Sequence, residues 1–434
     1  MAHEDIEASS PDGAAAVGGP GRFLAGDEVE TFIHERLSGV PLDGRSVCML
    51  VPDATRSCPL PLLVRSVYSC LKGRVSRLTV LVALGTHAAM GAQAHARHLG
   101  YRLGGLDETF PGMRVVDHAC WDPGSLVTLG TIRAAKIADL SNGAISQDVP
   151  VRVNRAVVDH EVTLIVGPVF PHEVVGFSGG NKYLFPGVSG HEFIDVSHWL
   201  GALITSADII GVRGITPVRA LIDEAASMVP SERWAFCAVN ASESNGLHFL
   251  AFGEPTAAWQ AAADVSAQTH IRYLNTPVRK VLSILPRKYD DMWTGAKGFY
   301  KVEPVVADGG QVVIYAPHVT ELAVTHPAVV DIGYHCRDFY VKQWDRFKGY
   351  HWGDLAHSTH LRGAGTYSDL DGERARVTVT LATGIPEKVV RSVNLDYLDP
   401  STIDLAAWAG EEGSLVVRGA GEQLYRLSSK VTPS

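Results

Sequence analysis

The sequence predicts an α/β protein whose strands run mainly parallel, and three observations support this fold class. Short runs rich in Val, Leu and Ile alternate with amphipathic stretches along most of the 434 residues, as in helices layered on a parallel sheet. Polar segments follow directly after several of these runs. The strand pattern then restarts after residue 278, which indicates a second α/β unit.

The first two predicted strands each lead into a short polar turn. Residues 47–51 are followed by Pro-Asp-Ala-Thr-Arg at 52–56, and residues 78–84 by Gly-Thr-His at 85–87. In open parallel sheets, ligands bind beyond the carboxyl ends of the strands. We therefore expect one shared site that contains these side chains and two from the third strand end: Asp53, Arg56, His87, His172 and Lys182.

The third predicted strand, residues 162–167, leads into the longest motif of the chain. From residue 171 to residue 182 it reads Pro-His-Glu-Val-Val-Gly-Phe-Ser-Gly-Gly-Asn-Lys. Its glycines let the backbone approach a ligand closely and offer free N–H groups to an anion. Lys182 can contact a phosphate or, with a lowered pKa, act as a nucleophile. Because Tyr183 follows it where a P-loop has Ser or Thr, a nucleoside triphosphate is not expected.

A domain boundary is predicted between residues 240 and 278, a stretch rich in Ala, Ser, Asn and Gly. After it, predicted strands at 281–285 and 312–316 lead into polar loops, the first of which ends at Lys297. The first residues are rich in Ala, Gly, Ser and Pro, as in disordered tails. We predict a disordered tail at 1–22, an α/β domain at 23–270, and a second α/β domain at 277–434 whose last residues pack back on the first.

Composition narrows the class of protein. Hydrophobic residues make up 46% and charged residues 20%, the balance of an ordinary globular protein. The net charge of −9, with no Lys/Arg block, argues against nucleic-acid binding. We find neither a run long enough to span a membrane nor a secretory signal. The six cysteines include no CxxC pair, so we expect a reducing, cytoplasmic location and no thiolate zinc site.

Four histidines are candidates for acid–base or metal chemistry. His87 and His172 follow different strands, and two imidazoles can act as base on one face of a substrate and acid on the other. His191 and His198 share one face of a predicted helix with Asp195, a spacing that fits either a metal site or a solvated polar stripe.

These motifs together resemble the lactate racemase family, whose members use a nickel-pincer nucleotide. The resemblance extends from about Asp53 to the Lys297 region. It rests on the Asp-Ala-Thr-Arg turn at 53–56, the Gly-Thr-His turn at 85–87, and the long segment from 171 to 187, with a histidine further on. The last motif is the most specific of the three.

The resemblance implies two α/β domains with the cofactor in the cleft between them, and a role for each matching residue. Lys182 would carry the pyridinium-3-thioamide-5-thiocarboxylate mononucleotide covalently, and His198 would bind its nickel. His87 and His172 would be the catalytic acid–base pair, and Arg56 and Lys297 would contact the substrate carboxylate. The remaining cofactor contacts would come from Asp53, which matches a ribose contact, Thr55, Ser178, Gly179 and Gly180.

The implied activity is racemisation or epimerisation of a 2-hydroxy acid by reversible hydride transfer, in an enzyme matured by cofactor-synthesis proteins. Two departures concern the substrate: Ala88 stands where family members often have Arg, and Thr294 where they commonly have Gln. We therefore expect a side chain larger than that of lactate.

Two other interpretations remain open at this stage. The first is a zinc-dependent hydrolase or lyase that uses His172, His191 and His198. The second is a non-catalytic carrier of a phosphorylated ligand, which would use the glycine-rich segment and Lys182.

Overall fold

The computed structural model describes residues 13–241 and 246–428, and its largest sheet has seven strands. Five neighbouring strands of this sheet are parallel, and two further strands add antiparallel at one edge. Across the sheet the strands are Ala15–Gly18, Leu247–Gly253, Glu232–Asn240, Val162–Pro168, Ser46–Pro52, Arg77–Ala83 and Met113–Asp117. The central strands Val162–Pro168 and Ser46–Pro52 are buried along their whole length, as expected for a parallel sheet covered on both faces.

A second sheet has five strands, all of them parallel. Across the sheet they are Asp396–Tyr397, Thr378–Thr383, Val306–Ala316, Val278–Ile284 and Ser414–Arg418. The predicted fold class, two α/β parts with parallel-rich sheets, is confirmed. The strands predicted at 281–285 and 312–316 belong to this second sheet.

Small ribbons complete the strands. One is parallel and joins Ile271–Leu274 to Leu424–Leu427. The others are antiparallel pairs: Leu126–Ile132 with Val149–Asn154, Pro171–His172 with Gly176–Phe177, and Gly365–Ser368 with Gly372–Ala375.

Helices cover both sheets. In the first part they are Gly26–Ser38, Leu60–Leu71, Ala92–Leu99, Leu106–Thr109, Ala134–Leu140, Arg155–Val158, His191–Ile204, Ser206–Ile209, Pro217–Ser227 and Pro255–His270. In the second part they are Met292–Gly295, Lys297–Tyr300, Ala328–Ile332, Arg337–Lys342, Trp344–Phe347, Trp352–Arg362, Glu387–Ser392 and Leu405–Gly410. Four short 3₁₀ turns lie at Pro123–Ser125, Gly180–Tyr183, Glu303–Val305 and Pro400–Thr402. Within the described ranges, none of these helices has both the length and the apolar character that crossing a bilayer requires.

The largest apolar core runs through both parts of the molecule. It packs the helices His191–Ile204 and Pro255–His270 of the first part against residues such as Phe299, Tyr340 and Leu355 of the second. A second core lies on the other face of the seven-stranded sheet, under the helices Gly26–Ser38 and Leu60–Leu71. This continuous core packs the two parts against each other, next to the cavity described below.

The predicted tail differs from the structure. Residues 1–12 lie outside the described residues, but Ala15–Gly18 is an edge strand that pairs with Leu247–Gly253. Small residues are compatible with an edge strand when a partner strand supplies the hydrogen bonds, so composition misled the prediction there. Whether 23–270 and 277–434 fold as separate domains stays a prediction.

Candidate active site

A cavity lies where the carboxyl ends of the parallel strands of the first sheet face helices of the second part. Its wall on the first side comprises Pro52, Asp53, Arg56, Ala83, Leu84, Gly85, Thr86, His87, Pro168, Phe170, His172, Glu173, Ser178, Gly179, Lys182, Tyr183, Pro186, Gly187, Ile194 and His198. Its wall on the other side comprises Trp293, Thr294, Lys297, Tyr300, Gly353, His357 and His360. The strand-end site expected from the sequence is therefore formed.

His87 and Asp53 form a hydrogen-bonded pair at the ends of neighbouring strands. The Nδ1–H of His87 donates to the Asp53 carboxylate, which also accepts from the hydroxyl of Thr55 at 2.7 Å. Burial opposes ionisation of Asp53, but His87, Arg56 and Thr55 outweigh it and hold its pKa below the usual value. Because Nδ1 donates to a carboxylate, Nε2 of neutral His87 keeps its lone pair and can accept a proton.

Asp53 has hydrogen-bonding partners within the protein. Its carboxylate is engaged by His87 and Thr55, and the cofactor-ribose contact that the resemblance implies for it stays a prediction. A carboxylate that fixes the tautomer of an imidazole acts through that imidazole. Thr55 donates a hydrogen bond to the Asp53 carboxylate but does not itself line the cavity.

His172 lies almost fully buried in the short hairpin that opens the glycine-rich segment, with 4% of its side chain exposed. The backbone N–H of Val174 donates to its Nδ1 at 3.2 Å, and Oε2 of Glu173 lies 3.3 Å from the same nitrogen. Burial, together with Lys182, lowers its pKa well below the usual value. His172 is therefore neutral at pH 7, and its Nδ1 has both a donor and a carboxylate within reach.

The turn before Lys182 is held from behind by a buried arginine. Arg219 donates to the carbonyl oxygens of Gly179 at 3.1 Å and Phe177 at 2.5 Å, and its guanidinium lies 4.1 Å from the ring centre of Trp259. Gly179 has φ +89°, and a Cβ there would lie 2.5 Å from Val169. These contacts fix the backbone of the turn and therefore the position of the Lys182 backbone.

Lys182 reaches the cavity from this turn. Burial and the neighbouring Arg56 lower the pKa of its amine to about 7. A substantial fraction of the side chain is therefore an uncharged amine near neutrality, the nucleophilic form of lysine.

His198 lies on the helix His191–Ile204, one turn beyond Ile194. Its Nδ1–H donates to the carbonyl oxygen of Ile194 at 2.7 Å, and burial lowers its pKa. That hydrogen bond leaves Nε2 with its lone pair, the arrangement found in most metal-binding histidines.

Two cations line the cavity near these groups. Arg56 is half-buried, and Asp53 and Glu173 outweigh the effect of burial and raise its pKa. Burial and Arg56 lower the pKa of Lys297 to about 7, and its ammonium lies 4.7 Å from the ring centre of Tyr289. Both groups lie where an anion in the cavity could bind them.

Most of the predicted site residues come together on the cavity wall. They are Asp53, Arg56, His87, His172, Ser178, Gly179, Lys182, His198 and Lys297. Thr55 and Gly180 do not reach it. Gly180 is needed for packing, because a Cβ there would lie 2.8 Å from Trp259.

Sequence reasoning missed three polar groups of the wall: Glu173, Tyr300 and His360. Glu173 had a usable signal, since it is a charged residue inside an otherwise apolar and glycine-rich motif. Tyr300 and His360 had none, because they come from short helices distant in sequence. Arg219 was also missed, since a single arginine in a helix reads as exposed.

The three histidines of the zinc interpretation do not converge. The ring of His191 stacks on Trp121, with centroids 4.9 Å apart, and His191 is not part of the cavity wall. Within residues 13–241 and 246–428, no three His, Cys, Asp or Glu side chains are grouped to hold a metal ion. The solvated stripe describes His191 better than a metal site does.

The chain is similar to known proteins in sequence and in fold. Residues 32–209 match the lactate racemase N-terminal domain. A crystal structure of a protein from Thermotoga maritima is similar, with a TM-score of 0.86 and 28% identity over 94% of this chain and 99% of that one. The lactate racemase apoprotein from Thermoanaerobacterium thermosaccharolyticum shares the fold, with a TM-score of 0.68 and 17% identity over 92% and 93%.

No curated protein matches the sequence. The matched N-terminal domain contains the Asp-Ala-Thr-Arg turn, the Gly-Thr-His turn, the glycine-rich segment and His198. Residues 32–209 therefore form a domain of the lactate racemase N-terminal type.

Proposed function

We propose that this protein is a racemase or epimerase of a 2-hydroxy acid that works with a nickel-pincer nucleotide bound to Lys182. The observation that carries the proposal is the placement of two histidines, His87 and His172, around one cavity with Lys182, whose pKa is lowered to about 7, and with His198, whose Nε2 is free to bind a metal. Inversion at a hydroxyl-bearing carbon needs a proton acceptor and a proton donor for the same oxygen. A cavity with two such imidazoles supports that reaction class.

The residues of the cavity fit the implied cofactor. Acylation of a lysine requires its free amine, and the lowered pKa of Lys182 makes that form available. His198 offers Nε2 to a metal, because its Nδ1–H is held by Ile194, and an imidazole suits nickel. When bound, the cofactor would supply a hydride acceptor, which no protein side chain provides.

Arg56 and Lys297 would bind the substrate carboxylate. The guanidinium of Arg56 can hold a carboxylate through two parallel hydrogen bonds, which fixes its plane as well as its position. Such a clamp would bring the hydroxyl group of a 2-hydroxy acid to the histidines and keep C2 in one place while the bonds around it change.

His87 would take the hydroxyl proton on its Nε2, because Asp53 holds its Nδ1–H and stabilises the imidazolium that forms. His172 would serve the opposite direction. Its Nδ1 accepts a hydrogen bond from the backbone N–H of Val174 at 3.2 Å, so Nε2 of the neutral imidazole carries a proton that the substrate oxygen can take up. One imidazole ready to accept a proton and one ready to donate it suit a reaction that runs both ways.

The test is to produce the protein together with the cofactor-synthesis proteins and nickel, and to measure its intact mass and the mass of the Lys182 peptide. We expect an adduct of nucleotide size on Lys182 and stoichiometric nickel. An unmodified Lys182, under conditions that load a known family member, would overturn the proposal. It would also restore the carrier interpretation.

The loaded protein allows a second measurement. A 2-hydroxy acid deuterated at C2 should be inverted in ordinary water with its deuterium retained, since a hydride that leaves and returns does not exchange with solvent. Loss of the label would instead indicate removal of C2–H as a proton. A carrier would show no inversion at all.

A further inference from the structure

Three polar side chains that the acid–base chemistry does not require meet at one part of the cavity wall. They are Glu173, which follows His172 directly, and Tyr300 and His360, which come from two helices of the second part. Tyr300 lies near the Glu173 carboxylate, and burial, together with this carboxylate, raises the pKa of its hydroxyl. The rings of Tyr300 and His360 are 6.3 Å apart, centre to centre. We call these three residues the polar subsite.

His360 has an unused hydrogen-bonding atom in this subsite. Its side chain is 3% exposed, and its Nδ1 is bonded to the hydroxyl of Ser206. Its Nε2 is buried and has no partner among the residues that the structure describes. A buried polar atom without a partner is unfavourable, and a ligand hydroxyl would supply the missing hydrogen bond.

The charges of the subsite define what it accepts. The charge of Arg56 outweighs the burial of Glu173 and keeps its pKa below the usual value, so it is a carboxylate at neutral pH. Burial lowers the pKa of His360 to about 4 and raises that of Tyr300, so both are neutral. An ionised carboxylate accepts several hydrogen bonds and donates none. The subsite therefore offers acceptors to hydroxyl groups. A methyl group in their place would leave these acceptors without a hydrogen bond, and Glu173 would repel a second carboxylate.

We propose that the polar subsite binds hydroxyl groups on the side chain of the substrate, which is a polyhydroxylated monocarboxylic acid of the sugar-acid class. This inference rests on the proposed function. The carboxylate would lie at Arg56 and Lys297, and the hydroxyls beyond C2 at Glu173, Tyr300 and His360. With a hydroxyl at C3, inversion at C2 changes one of two stereocentres, so the reaction is an epimerisation.

The experiment compares four acids of equal carbon number with the cofactor-loaded protein. They are 2,3,4-trihydroxybutanoate, 2-hydroxybutanoate, hydroxybutanedioate and 4-amino-2-hydroxybutanoate, and inversion at C2 is followed by chiral chromatography. We expect kcat/KM for the trihydroxy acid to exceed that for 2-hydroxybutanoate by about 100-fold or more, because sites built around buried polar groups reject analogues that leave them unpaired.

Each other outcome has a distinct meaning. If 2-hydroxybutanoate reacts as well as the trihydroxy acid, or if the dianion or the amine is preferred, the inference is wrong and the proposed function stands. If Lys182 carries the adduct and none of the four acids, nor lactate, is inverted, the proposed function itself fails.

Variants separate binding at the subsite from an indirect effect of Glu173 on its neighbour His172. The measured quantity is the ratio of kcat/KM for 2,3,4-trihydroxybutanoate to kcat/KM for 2-hydroxybutanoate. E173Q and Y300F should each lower this ratio by about tenfold. A general loss of activity through His172 would lower both values together and leave the ratio unchanged. Y289F is the matched control, since the Tyr289 hydroxyl bonds Glu422 outside the cavity wall. Its ratio should stay that of the parent protein.

Discussion

The two walls of the cavity are built differently. On the wall from the first part, hydrogen bonds fix the ring nitrogens of the key imidazoles: His87 by Asp53, His198 by Ile194, and His172 by Val174. On the wall from the second part, aromatic contacts dominate, since Trp293 is stacked between His326 and His357 with centroids 3.6 and 3.9 Å away. The first wall sets proton positions and the second sets shape, so changes to them should have different kinetic consequences.

The largest effect on the first wall is expected for Lys182→Ala. Without the amine, the cofactor has no point of covalent attachment, so both the mass adduct and the inversion of every acid should be lost. Intact mass and chiral chromatography check this. Lys297→Ala is the matched control, because it removes a cavity lysine of similar pKa; it should keep the adduct. Retention of the adduct in the Lys182→Ala protein would place the attachment elsewhere.

The pKa of Lys182 can be measured directly on the unloaded protein by competitive labelling with a small amine reagent. Because burial and Arg56 lower the pKa to about 7, the free amine dominates above pH 7 and disappears below it. Labelling should rise about tenfold per pH unit up to 7 and then level off, whereas ordinary lysines keep rising toward about pH 10.4. A Lys182 profile parallel to that of exposed lysines would contradict the predicted activation.

His87→Ala should lower kcat by about 10²–10⁴-fold, the usual contribution of a positioned acid–base group. The adduct on Lys182 should remain. Asp53→Asn tests the pairing and should produce a smaller loss, because it keeps the imidazole but removes the charge that stabilises its protonated form. If Asp53 contacted only a cofactor ribose, Asp53→Asn would impair loading and leave the turnover per loaded chain unchanged.

The smallest effect is expected on the second wall. Trp293→Leu opens space beside the stacked imidazoles and should change kcat/KM by up to about tenfold. The factor should differ between substrates with short side chains and substrates with long ones. Adduct formation and the deuterium retention of the product should be the same as in the parent protein. A uniform loss for all acids would show that this wall takes part in the chemistry and would remove the contrast between the walls.

The same contrast explains what the sequence could predict. The first wall is built from turns that follow directly after buried strands, so a strand pattern and a turn motif were enough to bring His87, His172 and Lys182 together. The second wall comes from short helices such as Lys297–Tyr300 and Trp352–Arg362. Their cavity-facing residues have no fixed spacing relative to a strand, and a role for Lys297 came only through the family resemblance.

The sequence also could not predict which side chains form hydrogen bonds with each other. The sequence placed Asp53 at the correct strand end but not its hydrogen bond to His87, because that bond depends on the relative register of two neighbouring strands and on both rotamers. Arg219 was missed for a similar reason, since its partners are carbonyl oxygens, which leave no trace in the sequence. Motifs predict which residues meet, and the backbone then decides which of them bond.

The parallel ribbon between Ile271–Leu274 and Leu424–Leu427 has a consequence for biosynthesis. The backbone N–H of Tyr425 donates to the carbonyl of Lys301 at 2.8 Å, next to Tyr300 of the polar subsite. Translation proceeds from the amino end, so the ribosome releases this strand after every residue of the cavity wall. The backbone beside Tyr300 therefore gains its last hydrogen-bonding partner only once residues 424–427 have emerged.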